Sequence, residues 1–128
     1  MAYGFVYVLS NDSMPGIYKI GMTEGTPRKR CDELSAATAS ACPFEVMMYL
    51  ETKQPRTLEK RMHLFFDEHR VSQNREFFKV DLRKIFVEFS SWETEDCILA
   101  VSYEAQGVIA CADYEDQKAA ASNLLEVS

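Results

Sequence analysis

The chain has 128 residues, 47% hydrophobic and 27% charged, ordinary values for one globular domain, or one domain with an appendage. No run of 18 apolar residues exists, which excludes a membrane-spanning helix, and Met1-Ala2-Tyr3-Gly4 lacks the basic and apolar stretches of a secretory leader; the expected location is cytoplasmic. The net charge of −6 excludes a broadly cationic nucleic-acid binder, yet the charge is uneven: residues 1–80 carry 11 Lys+Arg against 10 Asp+Glu, and residues 81–128 carry 3 against 10. Any phosphate contact must therefore be local, and the acidic excess belongs to the C-terminal segment.

Cys31, Cys42, Cys97 and Cys111 form no CxxC pair and sit beside no histidine, so free thiols are expected rather than a zinc site or a disulfide framework.

In chain order, Tyr3–Leu9 alternates as a strand, with Phe5, Tyr7 and Leu9 on one face and Val6 and Val8 on the other. The turn composition Asn11-Asp12-Ser13-Met14-Pro15-Gly16 leads to a second strand, Ile17–Met22, and the pair reads as an antiparallel hairpin. Thr26 and Pro27 suit the cap and first position of a helix that runs through Arg30, Leu34 and Ala37. Pro43–Thr52 predicts a third strand, and Pro55–His69 a second helix with Leu58, Met62, Phe65 and Phe66 as its apolar stripe. Arg75–Val80 reads as a short strand, and Leu82, Ile85, Phe86 and Phe89 as a helix ending near Trp92. The segments Cys97–Tyr103 and Val108–Ala112 fit short strands or helical turns equally, and Asp113–Leu125 has helical composition with acidic residues in its first turn.

Three cations, Arg28, Lys29 and Arg30, crowd the start of the first helix, where the macrodipole disfavours each by about 0.3–1 kcal/mol. An anion held there, with Arg30 as its principal contact, accounts for them; Arg28 and Lys29 also fit a plain solvent-facing role. Glu59 and His63, four residues apart, share one face of the second helix.

The order of Tyr7, Tyr18-Lys19-Ile20-Gly21, Arg30, Glu59 and Glu76-Phe77-Phe78 resembles the GIY-YIG nuclease superfamily. It is most similar to the small phage and bacterial branch named after an open reading frame of phage T5. The branch's first motif, two apolar residues and a tyrosine, is Phe5-Val6-Tyr7 here, and its Y-K-I-G-x-T motif is Tyr18 to Thr23. Arg30 and Leu34, Pro43 to Val46, then Glu59, His63 and Phe66 follow in the same order. The literal Gly16-Ile17-Tyr18 is a coincidence of letters. Where the wider superfamily has a second tyrosine, this chain has Lys19.

The resemblance implies an α/β (α+β) fold: a small, mostly antiparallel central sheet with an N-terminal β-hairpin, flanked by helices. It spans residues 1–80 as a nuclease domain, leaving 81–128 as an acidic extension packed on or near it. It further implies metal-dependent hydrolysis of DNA phosphodiester bonds. Tyr7 would take the proton of the attacking water, with Tyr18, Lys19 and His63 as further catalytic groups. Arg30 would hold the scissile phosphate beside Arg28 and Lys29 as DNA contacts, and Glu59 would bind one Mg²⁺ or Mn²⁺. Glu76 fits either a second site carboxylate or a partner for an arginine. Lowering the phenol from about 10 to about 7 needs roughly 4 kcal/mol. Lys19 about 4 Å away would supply roughly that much at an effective dielectric near 20. The alternative is a catalytically weak GIY-YIG fold acting as a regulatory module, whose acidic C-terminal segment binds a protein partner or a second copy.

Overall fold

Among the described residues the chain forms five strands and four α-helices, whose arrangement a computed structural model gives. It describes residues 3–37, 42–71 and 76–127, the last five for their backbone alone. The strands are β1 (Gly4–Asn11), β2 (Ile17–Thr23), β3 (Phe44–Thr52), β4 (Phe77–Lys79) and β5 (Ile98–Val101). The helices are α1 (Pro27–Ala37), α2 (Pro55–Phe65), α3 (Leu82–Ser91) and α4 (Tyr103–Val127). All strand pairs are antiparallel, in the order β4-β2-β1-β3-β5, so the fold is α+β with the hairpin β1–β2 near its centre.

The alternation of β1 splits the core in two. Val6 and Val8, fully buried, face α2, α3 and the first turns of α4, which contribute Leu58, Met62, Ile85, Phe89 and Ala105 to the larger cluster. Tyr7 and Leu9 face the other way, against Cys31 and Leu34 of α1 and against Phe44. A bulge in β3 joins the two patterns. The register passes from Val8↔Met48 to Leu9↔Val46, leaving Met47 as the extra residue, with its carbonyl accepting from the Ser102 N–H at 2.8 Å. Both Met47 and Met48 therefore enter the larger core, and Val46 and Tyr49 both fall on the Tyr7 side.

The expected starts of α1 and α2 hold. Thr26 Oγ1 accepts from the Lys29 N–H at 3.2 Å, and Pro55 stands at the first turn of α2. That helix stops at Phe65, short of the expected His69. Phe66 turns in to the core, and the chain tightens into a 3₁₀ turn over Asp67–His69. The two ambiguous segments resolve into β5 and part of α4, which Ser102 caps by accepting from the Ala105 N–H at 3.1 Å. The boundary expected at residue 80 falls within a shared unit: Leu82, Ile85 and Phe89 of α3 complete the larger core, and β5 extends the sheet. Beyond Ala112, α4 is exposed as far as its side chains are described, held by Arg83, which meets Asp81, Asp113 and Asp116. Cys31, Cys97 and Cys111 are free thiols. Among the described residues no helix is long and apolar enough to cross a membrane.

Candidate functional site

The site grows from one feature of the sheet: β4 is short. It pairs with β2 only over Ile17, Tyr18 and Lys19, so the rest of that edge needs other partners. The Ile20 N–H donates to the Glu76 carbonyl at 2.9 Å. Next, α2 supplies side chains. Nε2 of His63 lies 2.7 Å from the Ile20 carbonyl, and because a carbonyl only accepts, this nitrogen carries the proton. One turn earlier on the helix, the Glu59 carboxylate faces the Met22 N–H, which favours its ionised form. The four-residue spacing of Glu59 and His63 thus matches the two-residue spacing of Ile20 and Met22 along the strand.

Tyr7 approaches the same edge from β1. It stands opposite Gly21, and its ring lies across the glycine: a Cβ added there would come 2.6 Å from the phenol oxygen. The glycine is needed for close approach, since its backbone lies outside the positive-φ region, where Gly16 alone is found among the described residues. Only 2% of Tyr7 is exposed, and the Arg30 guanidinium of α1, which also reaches Glu33 at 3.4 Å, lies close enough to its hydroxyl to favour the phenolate. Lys19, 7% exposed, is paired with Glu76, and its Nζ lies 5.2 Å from the centre of the Phe77 ring.

These groups sense one another. Burial pushes the Tyr7 phenol above its ordinary value, the Arg30 guanidinium opposes this, and the charges of Glu76 and Glu59 add to the rise. Burial likewise raises the Glu59 carboxyl; Glu76 adds to that rise, while His63 and Lys19 oppose it. The arrangement combines a buried phenol, a guanidinium beside it, and a half-buried carboxylate that forms no ion pair among the described residues.

Tyr7, Lys19, Arg30, Glu59, His63 and Glu76 are brought together. Two of the sequence expectations are corrected. Tyr18 lies on the opposite face, packed against the larger core, because adjacent residues of a strand point opposite ways. The cation on the Tyr7 hydroxyl is Arg30, while the Lys19 charge is taken up by Glu76, 57 positions away in sequence. Arg28 and Lys29 are solvent-exposed at the rim. Gly21 entered the sequence reading only as a motif letter; its signal as a site residue is a glycine in the middle of a strand.

A family model, the T5orf172 domain, matches residues 4–93, from the first residue of β1 to just past α3. The chain belongs to the T5orf172 domain family. The matched span of this phage-associated domain takes in every residue assembled at the β2 edge and includes α3, while β5 and α4 lie beyond it. No curated protein and no solved structure matches the chain.

Proposed function

We propose that this T5orf172 domain is a GIY-YIG-type endonuclease that hydrolyses phosphodiester bonds of DNA with one divalent ion, Mg²⁺ or Mn²⁺. The observation that carries the reading is the meeting of Tyr7, Arg30 and Glu59 at the β2 edge. These residues are far apart in the chain, and each is positioned by a different element.

The residues present fit a hard cation of modest protein contact. Among the described residues no group of three or more His, Cys, Asp or Glu stands ready to enclose a metal. One carboxylate with water and substrate oxygens as the remaining ligands is the usual arrangement for Mg²⁺. The raised pKa of Glu59 marks a carboxylate that a neighbouring cation would stabilise in its ionised form. Such an ion, when bound, supplies a water of lowered pKa and charge to offset that developing on the phosphate.

The chain's own groups do the rest. Arg30 offers its guanidinium to a phosphate oxygen beside the Tyr7 hydroxyl. The guanidinium favours the phenolate, so Tyr7 takes a proton from water only as its own is released, which the raised pKa places on the alkaline side. His63 holds Glu59 in register by fixing the helix to the strand; Lys19 and Glu76 set the local field. Arg28 and Lys29 steer the flanking backbone.

The test is cleavage of supercoiled, linear and branched DNA with Mg²⁺ or Mn²⁺, with Glu59→Ala and Arg30→Ala as controls that keep the fold. Wild-type cutting lost in both variants supports the reading. Absence of cutting on all DNA and RNA substrates transfers the argument to an interaction module. That second reading is favoured by the exposed Asp113, Glu115 and Asp116 of α4 beside exposed Tyr114. Its occupant would be a basic protein partner or a second copy.

A further inference from the structure

The face of the sheet that carries Tyr7 is only partly covered. Helix α1 packs over Leu9, Phe44 and Val46, while further out, toward β5, the same face presents Tyr3, Phe5, Tyr49 and Ile98. Tyr3 is 39% exposed and Ile98 54%, and Phe5 and Tyr49 are half-buried. Phe5 and Tyr49 meet edge to face, with centroids 5.3 Å apart at 83°. Tyr49 stands directly across from Tyr7 in the β1–β3 ladder. Lys53 lies over the Tyr3 ring at 5.7 Å, so the aromatic strip has a cation at its outer end and Arg30 beyond its inner end.

We propose that Phe5 and Tyr49 form a stacking platform for one unpaired nucleobase of the substrate strand, next to the phosphate held at Tyr7 and Arg30. The inference rests on the nuclease reading above and specifies its substrate: DNA with an unstacked nucleotide beside the cut, as in a flap, bulge or single-stranded junction. Three observations choose this occupant. The strip is continuous with the phosphate site, since Phe5 lies two residues, about 6.7 Å, along the strand from Tyr7. An aromatic ring can cover a base only where no neighbouring base already does, so a base seated on Phe5 has left the duplex stack. Glu51, directly across from Phe5, repels a phosphate but accepts a hydrogen bond from a base amino group. Aromatic side chains flanked by cations are how proteins hold single strands without reading long sequences.

The test measures binding, in EDTA, of a short fluorescein-labelled single strand and of a blunt duplex of the same sequence. Phe5→Leu and Tyr49→Leu, which keep apolar bulk and remove the rings, are each expected to weaken single-strand binding about tenfold and leave duplex binding unchanged. Tyr49→Trp is expected to match or exceed the wild type. Unchanged single-strand binding in both leucine variants overturns the platform, as does equal loss on both DNAs. A second measurement needs no variant: photo-crosslinking of a 5-iodouracil strand to the wild-type protein, with crosslinked peptides mapped. Crosslinks at Phe5 or Tyr49 support the platform, and crosslinks confined elsewhere overturn it. The two readings fail separately. Cutting that needs Glu59 but ignores both rings sinks only the platform, whereas ring-dependent binding without cutting sinks only the nuclease.

Discussion

Gly21→Ala is the sharpest single perturbation of this site, because its effect follows from one methyl group. The new Cβ would stand 2.6 Å from the Tyr7 oxygen, 2.8 Å from Cζ and 3.0 Å from Cε1, where ordinary contact begins at 3.4 Å. The ring must therefore retreat by about 0.8 Å, the difference between 3.4 and 2.6 Å. It has little room to do so: Tyr7 is 2% exposed, and Leu9, Cys31 and Phe44 pack with it. Forcing a methyl group into such a contact costs about 1–3 kcal/mol. At about 4 °C per kcal/mol for a domain of this size, the melting temperature should fall by roughly 4–12 °C.

The same displacement moves the phenol relative to Arg30, and with Tyr7 as the proposed proton acceptor a misplacement of about 1 Å costs on the order of 100-fold in rate. Calorimetry and metal-dependent DNA cleavage read the two effects. Gly107→Ala is the matched control: it lies inside α4 with nothing within 4 Å, so added helix propensity should leave stability equal or higher by about 0.4–1 kcal/mol. A Gly21→Ala protein with wild-type melting temperature would refute the stacking of Tyr7 over the glycine. One that melts lower yet cuts at the wild-type rate would refute the role given to the phenol.

Glu59→Gln keeps an acceptor for the Met22 N–H and removes a carboxyl whose folded pKa lies above its ordinary 4.5. A raised pKa contributes stability that is complete below the unfolded value and lost as pH rises through the folded one. The variant should therefore melt higher than wild type near pH 7, with the gap closing below about pH 4.5; millimolar Mg²⁺ should raise the wild-type melting temperature and leave the variant unmoved. Tyr18→Phe should cut like wild type, while Tyr7→Phe loses cutting at least 100-fold and abolishes the alkaline rise of its rate, which the upward pKa shift of the phenol predicts; equal loss in both would overturn the assignment of faces. Arg83→Ala removes the cation shared by Asp81, Asp113 and Asp116, so hydrogen exchange should speed up along the outer turns of α4 and stay slow in β1 and β3. Arg83 holds the Asp81 carboxyl below its ordinary 3.8, so this support is present above that pH and is lost on further acidification.

What the letters disclosed and what they hid follow one division. Features set by neighbours in sequence were legible: the hairpin around the Pro15-Gly16 turn, the Thr26-Pro27 start of α1, and Leu58 and Met62 of the α2 stripe, from which Phe65 departs by standing exposed. Features set by distant partners were hidden. Glu76 neutralises Lys19 from 57 positions away, and no local signal announces that this lysine is already matched when Tyr7 needs a cation. The bulge at Met47 is hidden too, since it depends on register with β1. Tyr18 is a different case. A strand period of two forbids neighbours Tyr18 and Lys19 from sharing one pocket, so the alternation itself carried the correction that a motif reading overrode. Residues 82–101 joined the domain for a similar reason. Their acidic surroundings set them apart in composition, but Leu82, Ile85 and Phe89 had no other face to bury against.

The electrostatics of the β2 edge bear on why the site is built with so little balance. A protein selected for stability alone would leave neither a phenol nor a carboxylate half-starved of solvent beside a second carboxylate. Tyr7 and Glu59 are both held toward their neutral forms, and each is pushed further that way by Glu76. Among the described residues, Lys19 is taken up by Glu76, and Arg30 is shared between Tyr7 and Glu33. A divalent ion arriving next to Glu59 would reverse both shifts together, favouring carboxylate and phenolate at the same moment. A phosphate arriving at Arg30 would do the opposite to Tyr7, because its negative charge disfavours the phenolate and offsets part of the Arg30 charge. On this account neither ligand alone readies the phenol; the ion must offset what the phosphate removes. Titrating Mg²⁺ at fixed DNA should therefore move the alkaline limb of the rate profile to lower pH, and a limb that stays fixed would separate Tyr7 from the ion.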